Sequence, residues 1–299
     1  MINGSRYPFR YIVIGMGIVA SGWACTAEGN QTLEPDASSA AITGPLHLLL
    51  SEVAIAPNDH EFIEIYNPTP DPVTLTNYYL ADDADYAVLP GASGMGPAPK
   101  IDDPHDFIVR FPDGAVIEAG GVRVIAMRSR DFMVAYRAIP DFGILQTEGD
   151  TAMIPAGAGL VGPDPQITNS GEGIVLFYWD GTSDLVADVD MVTAGEALDE
   201  FNRLESKTLL NVDGPDSDER VSTYRPDAFR IGTMSATAAS NLSHKRISRE
   251  DMFETHSRNG NGNGIFGDDE TTEDMSQTWD DPAALTAPTP GVVAPGLLD

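Results

Sequence analysis

Oxygen-bearing side chains alternate with glycine from Asn259 through Asn261 to Asn263, followed by Gly264, Phe266, Asp268, Asp269 and Glu270. Counted from Asn259, they fall at positions one, three and five, with glycine at six, an apolar residue at eight and Glu270 at twelve. That is the spacing of an EF-hand-type Ca²⁺ loop, in which alternate side chains of a tight turn point at one hard cation and the last carboxylate closes the shell. Three neutral asparagines replace the usual acids, which predicts weak Ca²⁺ affinity. The same residues also read as a solvated Asn/Gly loop running into an acidic stretch. Asn211, Asp213, Asp216, Asp218 and Glu219 form a second acidic group, read as a solvated turn or a cation clamp. Asp102, Asp103, His105 and Asp106 form a third, and only there does a histidine join several carboxylates. A metal-dependent hydrolase built on that loop would need further imidazoles, yet His47, His60, His244 and His256 are scattered. Glu61 and Glu64, beside His60, read as strand-end or solvent-facing acids, or as metal ligands. Tyr78, Tyr79 and Trp179 read as core, or as a platform for stacking a carbohydrate.

No nucleophile elbow, phosphate-binding loop, dinucleotide fingerprint or H-E-x-x-H motif accompanies these groups. The formal net charge is −29, and removal of a leader holding Arg6 and Arg10 would make it two units more negative. A field of that sign repels phosphate backbones, so nucleic acid is not expected as a partner. The chain has one cysteine, Cys25. It follows two arginines and an uncharged, largely apolar run from Tyr11 to Ala24, the pattern of a secretory signal and shorter than a membrane span. A lone thiol in an exported protein cannot form an internal disulfide. The segment resembles a bacterial lipoprotein leader, with Ala24 before the cysteine, although Gly22 stands where leucine is usual. That resemblance implies lipidation of Cys25 and, with Thr26 rather than Asp next, an outer-membrane or cell-surface location. Cleavage near Ala24 without lipidation would instead give a periplasmic or secreted protein.

These groups must be positioned by short strands. Residues 25–45 lack an apolar period and read as a flexible tether. From Leu46 onward, apolar runs of strand length are separated by turn signals, in keeping with 29 glycines and 22 prolines. Leu46 to Ala54, Glu61 to Tyr66, Val73 to Leu80, Phe107 to Phe111 and Val122 to Met127 read as strands. Ser129 to Ile139 reads as a helix with Ser129 as N-cap. Gly173 to Val192 reads as a hairpin turning at Asp180-Gly181, whose return strand puts Asp184, Asp188 and Asp190 on a solvent face. The sum predicts an all-β, immunoglobulin-like sandwich over residues 46–292, with enlarged loops, a short helix or two, an insertion near 193–242 and a tail at 293–299.

Several segments resemble, in order, the lamin-tail domain: LLLSEVAIAP (48–57), EFIEIYNPTPDPVTLTNYYL (61–80), RFPDGAVIEAGGVRVI (110–125), NSGEGIVLFYWDGTSDLVADV (169–189), SHKRI (243–247) and PTPG (288–291). That family also occurs in exported bacterial proteins and has no shared catalytic residues to carry over. The resemblance implies binding or scaffolding at the cell envelope, with a protein or glycan ligand and the membrane, through a lipid anchor, as partners. The alternatives are a hydrolase using the Asp/His loop and a purely structural envelope component.

Overall fold

The apolar runs become strands in the computed structural model, which describes residues 46–92, 97–169, 171–195, 207, 209–225, 240–249 and 263–298. In chain order these are β1 (Leu49–Ala56), β2 (Phe62–Tyr66), β3 (Val73–Thr74), β4 (Tyr78–Ala81), β5 (Ile108–Arg110), β6 (Val116–Ile117), β7 (Val122–Arg128) and β8 (Phe142–Leu145). There follow β9 (Thr151–Ala152), β10 (Ile154–Pro155), β11 (Gly171–Tyr178), β12 (Ala187–Gly195), β13 (Asn211–Val212), β14 (Ser222–Thr223) and β15 (Leu242–Lys245). Among the described residues one sheet runs β15-β1-β2-β7-β8-β9 and the other β10-β5-β4-β11-β12. The fold is an all-β sandwich.

Side-chain alternation explains the layering. Along β2, Ile63 and Ile65 point between the sheets, where they join Leu50, Leu80, Val109, Leu176 and Val189 in one buried cluster. Phe62 points the other way, with Ala54, Val124 and Ala126, and is capped by Phe132 of the helix α1 (Ser129–Tyr136). The second sheet is covered outside as well: Tyr79, Val175, Phe177 and Met191 pack with Tyr86, Leu89, Val212 and Tyr224. Full burial of such a side chain contributes roughly 1.5–3 kcal/mol. Among the described residues no helix is long and apolar enough to cross a membrane.

Three expectations are corrected. The layers are not wholly antiparallel, because β7 pairs with β8 and β8 with β9 in parallel. The crossover that a parallel pair requires is α1. Ser129 is not the N-cap but lies inside the helix, where its hydroxyl donates to Asp150 Oδ2 at 2.6 Å. The helix stops at Tyr136 because Arg137 takes a left-handed conformation, φ 55°. The Asp180-Gly181 turn is longer than two residues, since β11 ends at Tyr178 and β12 starts at Ala187. The Asp180 carboxylate gathers the Thr182 and Ser183 amides, and these bonds hold its pKa down at about 2.

Candidate functional site

The β12 acids are not solvent-facing. Asp188 and Asp190 are buried, a bulge falls where β11 passes from Leu176 to Phe177, and each acid meets a cation distant in sequence. Asp188 forms an ion pair with Lys207, and accepts from the Tyr86 hydroxyl at 2.8 Å, which itself lies 2.9 Å from the Lys207 ammonium. Asp190 accepts from Arg246 Nη1 at 3.1 Å and from the Leu50 amide at 2.6 Å. Arg246 Nη2 lies 2.9 Å from Glu273. These contacts tie strands of both sheets to segments that a sequence period cannot place.

A second network closes the C-terminus. Glu52 and Glu64 stand directly opposite each other on β1 and β2. Thr289 donates to Glu52 through its amide at 2.8 Å and its hydroxyl at 2.9 Å, and Ser243 donates to the same carboxylate at 2.6 Å. Glu64 accepts from Ser51 Oγ at 2.8 Å and from the Gly291 amide at 2.7 Å. Burial nevertheless pushes Glu64 up to about 8, with Glu52 adding to the rise. Glu64 is therefore a structural acid. After Gly291 the chain continues to pack, with Ala294 and Leu297 buried against Leu49 and Tyr66.

Among the described residues one cluster has the spacing of a cation site, and a second gathers buried acids. His47, Asp268 and Glu270 are buried, and each offers one ligand atom such that all lie within 4.8 Å of one another. Glu270 is thus brought to a histidine from the start of the fold, while Asn263 turns elsewhere: its amide oxygen accepts from the Arg225 amide at 2.9 Å and its nitrogen donates to the Arg225 carbonyl at 3.0 Å. Asn259, Asn261 and Cys25 lie outside the described residues.

The other cluster sits where several loops meet at one end of the sandwich. The Asp82 amide donates to the Phe107 carbonyl at 3.2 Å, Gln166 N to the His105 carbonyl at 3.1 Å, and Asn169 Nδ2 to Asn58 Oδ1 at 2.8 Å. These bonds draw Glu61, Asp82, Asp83, Asp106 and Glu172 inward, and all five are buried. Asp82 Oδ1 accepts from the Phe107 amide at 2.6 Å and Asp83 Oδ1 from the Asp85 amide at 2.7 Å. Their second oxygens, Asp82 Oδ2 and Asp83 Oδ2, are buried without a hydrogen-bond donor. The Asp83 and Asp106 carboxyls contact each other. Burial, then contact with Asp83, then Glu172, push Asp106 up to about 8. Burial followed by Glu172 raises Asp82 well above the carboxylate range. Burial lifts Glu61 to about 9, against the pull of the Ile167 amide and Arg128.

Sequence spacing puts Glu61 and Asp106 in separate groups and singles out none of Asp82, Asp83 and Glu172. The available signal was three acid-bearing strand ends, DD after β4, HD before β5 and GEG opening β11. The rest of the Asp/His loop disperses. Asp102 pairs with Lys100 at 2.7 Å, and Asp103 Oδ1 accepts from the His105 amide at 2.9 Å. His105 Nδ1 lies 2.8 Å from the Asp164 carbonyl, so that nitrogen carries its proton. In the 211–219 group, Asp216 and Asp218 accept from the next-but-one backbone amides, the bonding of ordinary turns.

Comparison with known proteins adds little to this geometry. No family model matches the chain, and no curated protein does. Among solved structures it is similar to the crystal structure of a DUF4876 family protein from Bacteroides thetaiotaomicron, at 14% identity and TM-score 0.43, over 83% of this chain and 74% of that one.

Proposed function

We propose that this chain is a non-catalytic binding or scaffolding lipoprotein of the bacterial cell envelope, presenting a lamin-tail-like sandwich to a protein or glycan ligand. The reading is supported chiefly by how the charged interior is used. Asp188, Asp190, Glu52 and Glu64 join strands to distant segments, whereas the Asp102–Asp106 loop that a hydrolase would use is divided between turn bonds and a surface ion pair. A general acid or base must reach a bound substrate, whereas Asp102 meets Lys100, Asp103 takes the His105 amide and the His105 ring donates to the Asp164 carbonyl. The leader and the single cysteine at position 25 supply the anchor in this account.

Metabolic labelling with a fatty acid tests the anchor. The expected result is label on the wild-type chain and none on Cys25→Ser; equal labelling of both, or of neither, would remove the lipid from the proposal. Inactivity across phosphoester and glycoside panels is expected for the full chain. Chelator-sensitive turnover lost in His105→Ala would replace the binding reading with the hydrolase.

A further inference from the structure

The run Asp268-Asp269-Glu270 divides its side chains. Asp269 accepts from the Thr271 hydroxyl at 2.6 Å, while Asp268 and Glu270, on either side of it, meet His47, which enters the fold more than two hundred positions earlier. One ligand atom from each of these three lies within 4.8 Å of the other two, and His47, Asp268 and Glu270 are 7%, 2% and 2% exposed. Carboxylates so deep in a fold are paired or coordinate a metal. The loop is built for close approach. A Cβ at Gly264 would stand 2.7 Å from the Asp268 carbonyl oxygen and 3.2 Å from Glu270 Oε1, so glycine lets the backbone close on that carboxylate. The Gly264 amide donates to the Asp268 carbonyl at 2.9 Å, and the Asp188 amide donates to the Asn263 carbonyl at 3.1 Å, which pins the loop to β12.

His47 supplies the orientation. Its Nδ1 lies 3.0 Å from the Leu48 carbonyl, which can only accept, so Nδ1 carries the proton and Nε2 of the neutral ring keeps its lone pair. A histidine that ligates a metal through one ring nitrogen is commonly held in this way through the other. Two carboxylates carry two negative charges, which a divalent ion matches and a single proton on the ring does not. Zn–N and Zn–O bonds of about 2.0–2.2 Å put the ligands of a tetrahedral ion roughly 3.4 Å apart. Small side-chain rotations close the observed set to that spacing. A nitrogen among the donors disfavours Ca²⁺ and Mg²⁺, which select oxygen. We propose that His47, Asp268 and Glu270 bind a Zn²⁺ ion. Glu270 then belongs to a mixed nitrogen–oxygen shell, not to the all-oxygen shell that the 259–270 spacing suggests, and Asn263 faces Arg225 instead. Burial makes the centre structural: the ion joins the segment leading into β1, in one sheet, to the loop lying on β12, in the other. The site does not depend on the envelope reading.

The test is calorimetry and thermal unfolding of the metal-stripped full chain with Zn²⁺, in the absence and presence of millimolar Ca²⁺ to fill weak sites on the acidic surface. One Zn²⁺ per chain is expected under both conditions, with a rise in Tm on the order of 5 °C at saturation. His47→Gln and Asp268→Asn should each weaken binding at least about tenfold and remove most of the rise, whereas His60→Gln should bind as wild type does. Absence of stoichiometric Zn²⁺ binding would mean that a protonated His47 simply pairs with the two acids. Unchanged affinity in His47→Gln would place the ion elsewhere, and displacement of Zn²⁺ by Ca²⁺ would return Glu270 to an all-oxygen site; each of these overturns the proposal. Should His47→Gln not fold, Glu270→Gln takes its place, and unchanged affinity there is equally fatal.

Discussion

Glu64 shows how a single buried acid makes stability depend on pH. It faces Glu52 across two strands, a placement in which like charges repel, and its folded-state pKa of about 8 lies well above its ordinary 4.5. The folded state therefore holds the proton more tightly than the unfolded chain. Stability from this group is complete below pH 4.5 and is lost as the pH climbs through 8, by on the order of a few kcal/mol. Glutamine imitates the protonated acid: its carbonyl can accept from the Gly291 amide while its NH₂ faces Ser51 Oγ. Glu64→Gln should thus match wild type in urea unfolding at pH 5 and exceed it at pH 8.5. Parallel curves for the two proteins at both pH values would show that Glu64 is ionised in the fold. His244 works in the opposite sense, since burial depresses it to about 4. Its contribution is complete above about 6.5 and declines as pH falls toward 4.

At the scale of elements, β12 shows where sequence periodicity succeeds and where it stops. The alternation of Val189 and Met191 with Asp188 and Asp190 identifies a strand, and the strand is there. What alternation cannot supply is the identity of the layer beyond. The bulge turns Asp188 to the outer layer, where Tyr86 and Lys207 meet it, and Asp190 to the inner side, where the Leu50 amide and Arg246 meet it, the two cations lying 19 and 56 positions from their partners. An acid on a strand looks identical in sequence whether water or a buried cation lies against it. The same limit applies to the Asp82–Asp106 cluster, whose members come from four separated segments joined by loop hydrogen bonds. The turn at Asn67-Pro68, by contrast, has a local signature, because the Asn67 side chain bonds nearby backbone, accepting from the Thr69 amide at 3.0 Å and donating to the Asp71 carbonyl at 2.9 Å. The buried Asp188–Lys207 pair makes a definite prediction. Lys207→Met leaves Asp188 with the Tyr86 hydroxyl but without the ammonium, in a position 2% exposed. Breaking a buried pair from one side costs about 3–5 kcal/mol, whereas removing both charges costs far less. Lys207→Met should lower the urea midpoint sharply, and Asp188→Leu added to it should restore part of the loss. If the single change is silent, the pair does not hold the 207–225 segment to the strand.

For the molecule as a whole, the two sheets are closed by the last stretch of chain. Thr289 and Gly291 deliver three hydrogen bonds to Glu52 and Glu64, which lie more than two hundred positions earlier. Lys245, from β15, donates to Thr286 Oγ1 and to the Ala287 carbonyl, each at 2.7 Å, and so fixes the approach of this stretch. Beyond it, Ala294 and Leu297 cover Leu49 and Tyr66. Deleting residues 288–299 would strip donors from two buried carboxyl groups and uncover an apolar patch. Each buried acceptor left without its donor costs about 1–3 kcal/mol, so three lost bonds and the uncovered apolar patch take a large share of the stability of an ordinary domain, roughly 5–15 kcal/mol. The truncated chain should accordingly be unfolded or rapidly proteolysed at neutral pH. Adding Glu52→Gln and Glu64→Gln to the truncation should recover some folded protein, because amides cannot ionise when the C-terminal donors are gone. A truncated chain with the Tm of the parent would show that the sandwich closes without its C-terminus.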